Sequence, residues 1–106
     1  KNWIHEKLQK KIWHLILYNI STSKHIDKIF LKLSRKNSKQ MKIITNKIEE
    51  IITNPERYKN LRKPLQHLKR VHIDKHFVLT FSINKKTVNL EDYDHHDNIY
   101  RRGSES

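Results

Sequence analysis

The chain has 106 residues, with 23 Lys or Arg against 11 Asp or Glu, a formal net charge of +12, one Gly and no Cys. This length supports one modest core, and the charge favours a polyanionic partner such as RNA. The lack of Cys excludes disulfides and thiol chemistry and fits a reducing cytoplasm, the lone Gly excludes glycine-rich phosphate cradles, and no apolar run reaches the roughly 18 residues of a membrane span.

Residues 1–14 carry Trp3, Ile4, Leu8, Ile12 and Trp13 on one helical stripe, which predicts a leading amphipathic helix. The apolar, partly β-branched run "LILYNIS", residues 15–21, predicts a buried strand. Thr22 or Ser23 then offers an N-cap. Ile26, Ile29, Phe30 and Leu33 follow at i, i+3, i+4 and i+7 of a helix that ends near Arg35-Lys36-Asn37. Ser38 is the expected cap of a second helix, whose stripe is Met41, Ile44, Ile48, Ile51 and Ile52 and which Asn54-Pro55 closes. So short a turn between two stripes predicts an antiparallel helical hairpin.

After Pro64 the period changes to two, with Val71 and Ile73 alternating with Arg70, His72 and Asp74. "HFVLTFSI" is the stronger strand, and Asn84-Lys85-Lys86 turns it into "TVNLEDY". The order strand, two helices, three strands predicts an α+β domain over residues 1–102, with the hairpin packed on a twisted, mainly antiparallel sheet and an extra N-terminal helix. Residues 103–106 are expected to be a disordered tail or a cloning remnant.

"EDYDHHDNIY", residues 91–100, concentrates acids, histidines and tyrosines at the end of the last strand. Adjacent side chains on an extended segment point to opposite sides, so His95, His96 and Asp97 are not expected to ligate one ion. No HExxH or Cys/His spacing adds support for a metal. These residue types do permit metal-free RNA cleavage. A base takes the 2'-hydroxyl proton, cations offset charge on the phosphorane, and an acid protonates the leaving oxygen. A solvated basic face fits the same composition.

"NPERYKNLRKPLQHLKRVHIDKHFVLTFSI" followed by "EDYDHHDNIY" resembles the RelE/ParE superfamily of type II toxins, especially its RelE/YoeB-like mRNA interferases. The family pattern is a hairpin ending in Asn-Pro, a Leu-Lys-Gly-x-Leu segment, an Arg-Ile strand, a Tyr-Arg-Leu-Val-Tyr strand and a final strand ending in His-x-x-x-x-Tyr. Asn54-Pro55, the segment from Leu61 to Leu65, Arg70 to Ile73, Val78 to Phe81 and His95 to Tyr100 occupy those places in order, and the likeness covers about residues 15–101.

The resemblance implies cofactor-free, metal-free cleavage of mRNA in the ribosomal A site and inhibition by a cognate antitoxin. It places His95, His96 and Tyr100 in the catalytic cluster, with Arg70 and His72 near the phosphate or the nucleophile. Arg62, Lys63 and Lys69 are matched to binding of mRNA or rRNA backbone. One position departs from the pattern: Val78 stands where the family has a strand arginine, and Lys75 or His76 is the expected substitute. Two rivals follow from this departure, a ParE-like gyrase poison and a degenerate homologue that only binds antitoxin. The leading helix lies outside the likeness and is a candidate for self-association.

Overall fold

A computed structural model describes residues 18–105, and side chains as far as Arg101. The leading helix and the first three residues of the expected first strand lie outside the described residues.

Among the described residues, four strands form one sheet in the order β1-β4-β3-β2: β1 (Asn19–Thr22), β2 (Lys69–His72), β3 (Phe77–Asn84) and β4 (Thr87–His95). β2, β3 and β4 make the expected antiparallel meander, and β1 closes the sheet parallel to β4. Between β1 and β2 the chain forms α1 (Lys24–Lys36), α2 (Ser38–Thr53) and a 3-10 turn (Pro55–Arg57). After β4 it forms α3 (His96–Glu105), a helix through the segment read as a tail. No described helix is long and apolar enough to cross a membrane.

Ser23 caps α1 by accepting from the Ile26 N–H. The cap of α2 is Asn37 rather than Ser38. Its backbone N–H closes α1 on Leu33 O while its side chain accepts from the Gln40 N–H, so one residue ends a helix and starts the next. A short amide does both because its backbone is free to leave helical geometry while its side chain stands in for the missing acceptor. Both apolar stripes pack on one face of the sheet. There Ile26, Phe30, Met41, Ile44, Ile48, Ile51 and Ile52 meet Val71, Leu79, Phe81, Val88, Leu90 and Tyr93.

Leu90 and Tyr93 both join that core although an unbroken strand would point them to opposite faces. The register shifts opposite Thr80/Phe81: Thr80 pairs with Asp92 and Phe81 with Leu90, leaving Glu91 as the extra residue of a bulge. The other face of the sheet carries a smaller cluster, Leu61, Val78 and Ile99 with Leu65 and Leu68. The 60–68 loop and α3 therefore cover the face opposite the hairpin, and the candidate site lies between them.

Candidate functional site

Strand alternation puts Arg70 and His72 on the face opposite the hairpin, where their cross-strand partners are Thr80 and Val78. Arg70 lines an open cleft of about 800 Å³ together with Arg62 and Lys63 of the loop, Asp97, Tyr100 and Arg101 of α3, and the apolar Leu61 and Ile99. Four cations and one tyrosine ring thus face a single concavity. Tyr100 is 40% exposed, so its ring is available to a ligand.

The cleft depends on how β4 ends. The Asp94 carboxylate accepts from the His95 N–H at 2.7 Å and from Asn98 Nδ2 at 3.1 Å, which turns the chain out of the strand. His95 Nδ1 accepts from the Asp97 N–H at 3.2 Å and so caps the new helix. Once the helix begins, Asp97, Tyr100 and Arg101 fall at i, i+3 and i+4 and share one face. Ile99 is buried against Leu61 and Val78, which anchors that face to the sheet.

The strand-to-helix change also overturns the expectation that His95 and His96 diverge. Alternation holds only while the backbone stays extended, and here the two rings are 4.7 Å apart. His76, from the turn between β2 and β3, stacks on His95 with ring centroids 5.8 Å apart. One ligand nitrogen from each of the three imidazoles lies within 4.8 Å of the others. The His96 N–H donates to the His76 carbonyl at 2.8 Å and fastens the two segments together. His96 Nδ1 is 3.0 Å from Asp97 Oδ1, and its ring is 6.1 Å from that of Tyr100. The imidazole cluster therefore adjoins the cationic cleft through the contact of His96 with Tyr100.

Asp74 fixes the turn that carries His76. Its Oδ1 accepts from the N–H groups of His76 and Phe77 at 2.8 and 2.9 Å, and Gln40 Nε2 donates to its Oδ2 at 3.1 Å. Desolvation opposes the charged form, yet these three donors outweigh it and hold the carboxyl below its ordinary value. Gln40 also donates to the Tyr93 hydroxyl at 2.7 Å. Burial, with the nearby Asp74 carboxylate, pushes that hydroxyl above its ordinary range against the opposing Gln40 hydrogen bond.

Of the residues expected at the site, Arg62, Lys63, Arg70 and Tyr100 come together in the cleft, and His76, His95 and His96 form the cluster beside it. His95, however, is cross-strand from Phe77 and edge-on to its ring, nearer the hairpin side of the sheet than Arg70. His72 is exposed on the face of Arg70 and is not a cleft residue, and Lys75 is exposed in the turn. Lys69 points away from Arg70, and its ammonium donates to Tyr58 O at 2.9 Å and to Asn60 Oδ1 at 3.0 Å, which ties down the loop. Val78 is fully buried and supplies apolar floor. Sequence reasoning did not single out Asp97 as an orienting group or Arg101 as a cleft cation. Their i, i+4 spacing was the available signal, hidden by reading residues 91–100 as extended chain.

No family model matches the chain. A Methanocaldococcus jannaschii protein named "Putative toxin RelE4" is 53% identical over 88 residues, 81% of this chain and 94% of its own length. An uncharacterized protein of Methanosarcina mazei is 57% identical over 86 residues, 79% of this chain and 100% of its own. The E. coli DinJ-YafQ toxin-antitoxin complex contains a chain of similar fold, with a TM-score of 0.62 and 19% identity, covering 80% of this chain and 99% of that one.

Proposed function

The chain belongs to the RelE family of type II toxin-antitoxin toxins, and on that premise we propose that it is an endoribonuclease that cleaves mRNA on the ribosome without a metal. The observation that carries this reading is the joining of a four-cation cleft to imidazoles through His96 and Tyr100. Arg70, Arg62 and Lys63 hold the scissile phosphate and offset the charge that grows on the phosphorane. Tyr100 stacks on a substrate base, an interaction worth about 1–3 kcal/mol.

The Asp97 carboxylate lies 3.0 Å from Nδ1 of His96 and favours the proton on that nitrogen, which assigns Nε2 of the ring as the proton acceptor. In the reaction, a base takes the proton of the 2'-hydroxyl as its oxygen bonds to phosphorus. The bond from phosphorus to the 5'-oxygen breaks, and an acid returns a proton to the departing oxygen. The products are a 2',3'-cyclic phosphate and a 5'-hydroxyl end. His96 and His95 fill the two proton-transfer roles. Lys75 and His76, in the turn before β3, take over from the cation that Val78 lacks.

The partner that silences the toxin is a cognate antitoxin, an acidic segment that folds on the basic surface. The site of action is the cytoplasm, where the ribosomes are. The experiment is mapping of mRNA 5' ends after brief induction, comparing wild type with a His95→Ala/His96→Ala/Tyr100→Ala variant. Ribosome-phased cuts that vanish in the variant support the reading. Intact mRNA together with gyrase-dependent DNA breaks would replace it with gyrase poisoning, and no effect of wild type on mRNA, DNA or growth would leave an inactive antitoxin-binding homologue.

A further inference from the structure

We infer that His76, His95 and His96 form a three-imidazole site for a borderline divalent transition metal, of which Zn2+ is the type. The cluster contains one ligand nitrogen from each ring, all within 4.8 Å of one another. Tetrahedral zinc bound to nitrogen at about 2.0–2.1 Å places its ligand atoms about 3.3 Å apart, so the rings need to close by roughly 1.5 Å at most. Side-chain rotation supplies that movement, because His76 is exposed and His95 and His96 are 38% and 32% exposed.

The backbone is already set for this closure. The His96 N–H to His76 carbonyl bond joins the two segments, and the Asp74 carboxylate holds the N–H groups of His76 and Phe77 in the turn.

A second feature points to a metal as well. His96 Nδ1 faces the Asp97 carboxylate at 3.0 Å, an arrangement that orients the ring with Nε2 free to ligate. The Asp97 N–H donates to His95 Nδ1 at 3.2 Å, so the same residue positions both rings. Imidazole donors without thiolate or a carboxylate cage suit zinc, nickel or copper rather than magnesium or calcium. Three protein nitrogens leave a fourth position for water or another ligand. A metal held there occupies the lone pairs that proton transfer requires, so zinc acts as an inhibitor of the toxin. This consequence rests on the nuclease reading, while the binding itself does not.

The test is titration of the purified chain with Co2+, followed by its visible absorption, with Zn2+ then added as competitor. Saturation at one equivalent, with the intense bands of a four-coordinate ion and displacement by Zn2+, is expected. Each of His76→Gln, His95→Gln and His96→Gln should weaken binding at least tenfold, and His67→Gln, in the exposed loop, should not. Circular dichroism checks that each variant is folded, and His76→Gln alters only an exposed turn residue. His5 and His14 stay in every variant, so retention of full affinity when all three cluster histidines are replaced would overturn the site. Failure of wild type to bind one equivalent at micromolar metal would do the same. Cleavage assayed with and without Zn2+ separates the two readings: metal bound by a chain with no nuclease activity removes only the nuclease, and cleavage indifferent to metal that does not bind removes only this site.

Discussion

Val78 and Asp74 differ in how far their roles can be read from neighbouring residues. At Val78 the family pattern has an arginine, yet this side chain is fully buried against Leu61 and Ile99. Restoring the cation by Val78→Arg would put a guanidinium into an apolar cluster beside Asp94, whose carboxylate already accepts from His95 and Asn98. The expected outcome is a loss on the order of 3 kcal/mol in urea denaturation with no gain in cleavage, since an incompletely paired buried charge costs that much. A variant as stable as wild type that cleaves faster would show that the family cation was missing from this site. Asp74 acts through three hydrogen bonds, and Asp74→Ala should cost about 1 kcal/mol, a figure kept low because the carboxylate is exposed. Its folded-state pKa is depressed, so its contribution is fully present above the ordinary value of 3.8 and is lost as pH falls through the lowered one. The stability gap between Asp74→Ala and wild type should therefore narrow at the acid end of a pH series and stay constant near neutrality.

Among the elements, the helical hairpin and the three-strand meander were legible because their signals are local: stripes at 3.6-residue spacing, alternation around Val71 and Ile73, and Asn54-Pro55 as a stop. Two features were not. The Glu91 bulge lets Leu90 and Tyr93 face one core, and nothing in "NLEDY" marks it, because the shift is set by pairing with Thr80 and Phe81 across the sheet. The start of α3 was hidden as well, since "DHHDN" contains polar residues that suit a strand end as well as a helix cap, and the choice falls to Ile99 docking on Val78 and Leu61. That docking is a tertiary contact, so the convergence of the three imidazoles was beyond any local pattern. The element-scale prediction is that Ile99→Ala, by cutting into this small cluster, costs roughly 2–4 kcal/mol and disturbs the face that carries Tyr100. Thermal unfolding should register the first effect. Tyr100 should also lose its ring contact with His96, measured as a change in the His96 imidazole chemical shift in the folded variant at low temperature. An unchanged shift would mean that α3 keeps its place without Ile99.

Among the described residues, much of the positive charge gathers on two surfaces. The hairpin helices α1 and α2 carry eight Lys or Arg on one side of the sheet, and the cleft gathers Arg62, Lys63, Arg70 and Arg101 on the other. The cleft is the proposed RNA surface, and salt dependence tells whether the hairpin surface binds RNA as well. Binding to single-stranded RNA releases counterions with a slope of about −0.7 per phosphate neutralised, so engagement of the four cleft cations alone predicts a slope of roughly −3 in log K against log salt. Engagement of both surfaces predicts roughly −8. A non-cleavable RNA carrying 2'-methoxy groups, titrated by fluorescence anisotropy over a range of salt, measures the slope without cleavage. Arg70→Met should make it about 0.7 less steep, whereas Lys42→Met on the hairpin should leave it unchanged. A slope near −8 that falls with either substitution would mean that RNA wraps both faces, and an antitoxin on the hairpin would then compete with RNA directly instead of acting from the opposite side of the sheet.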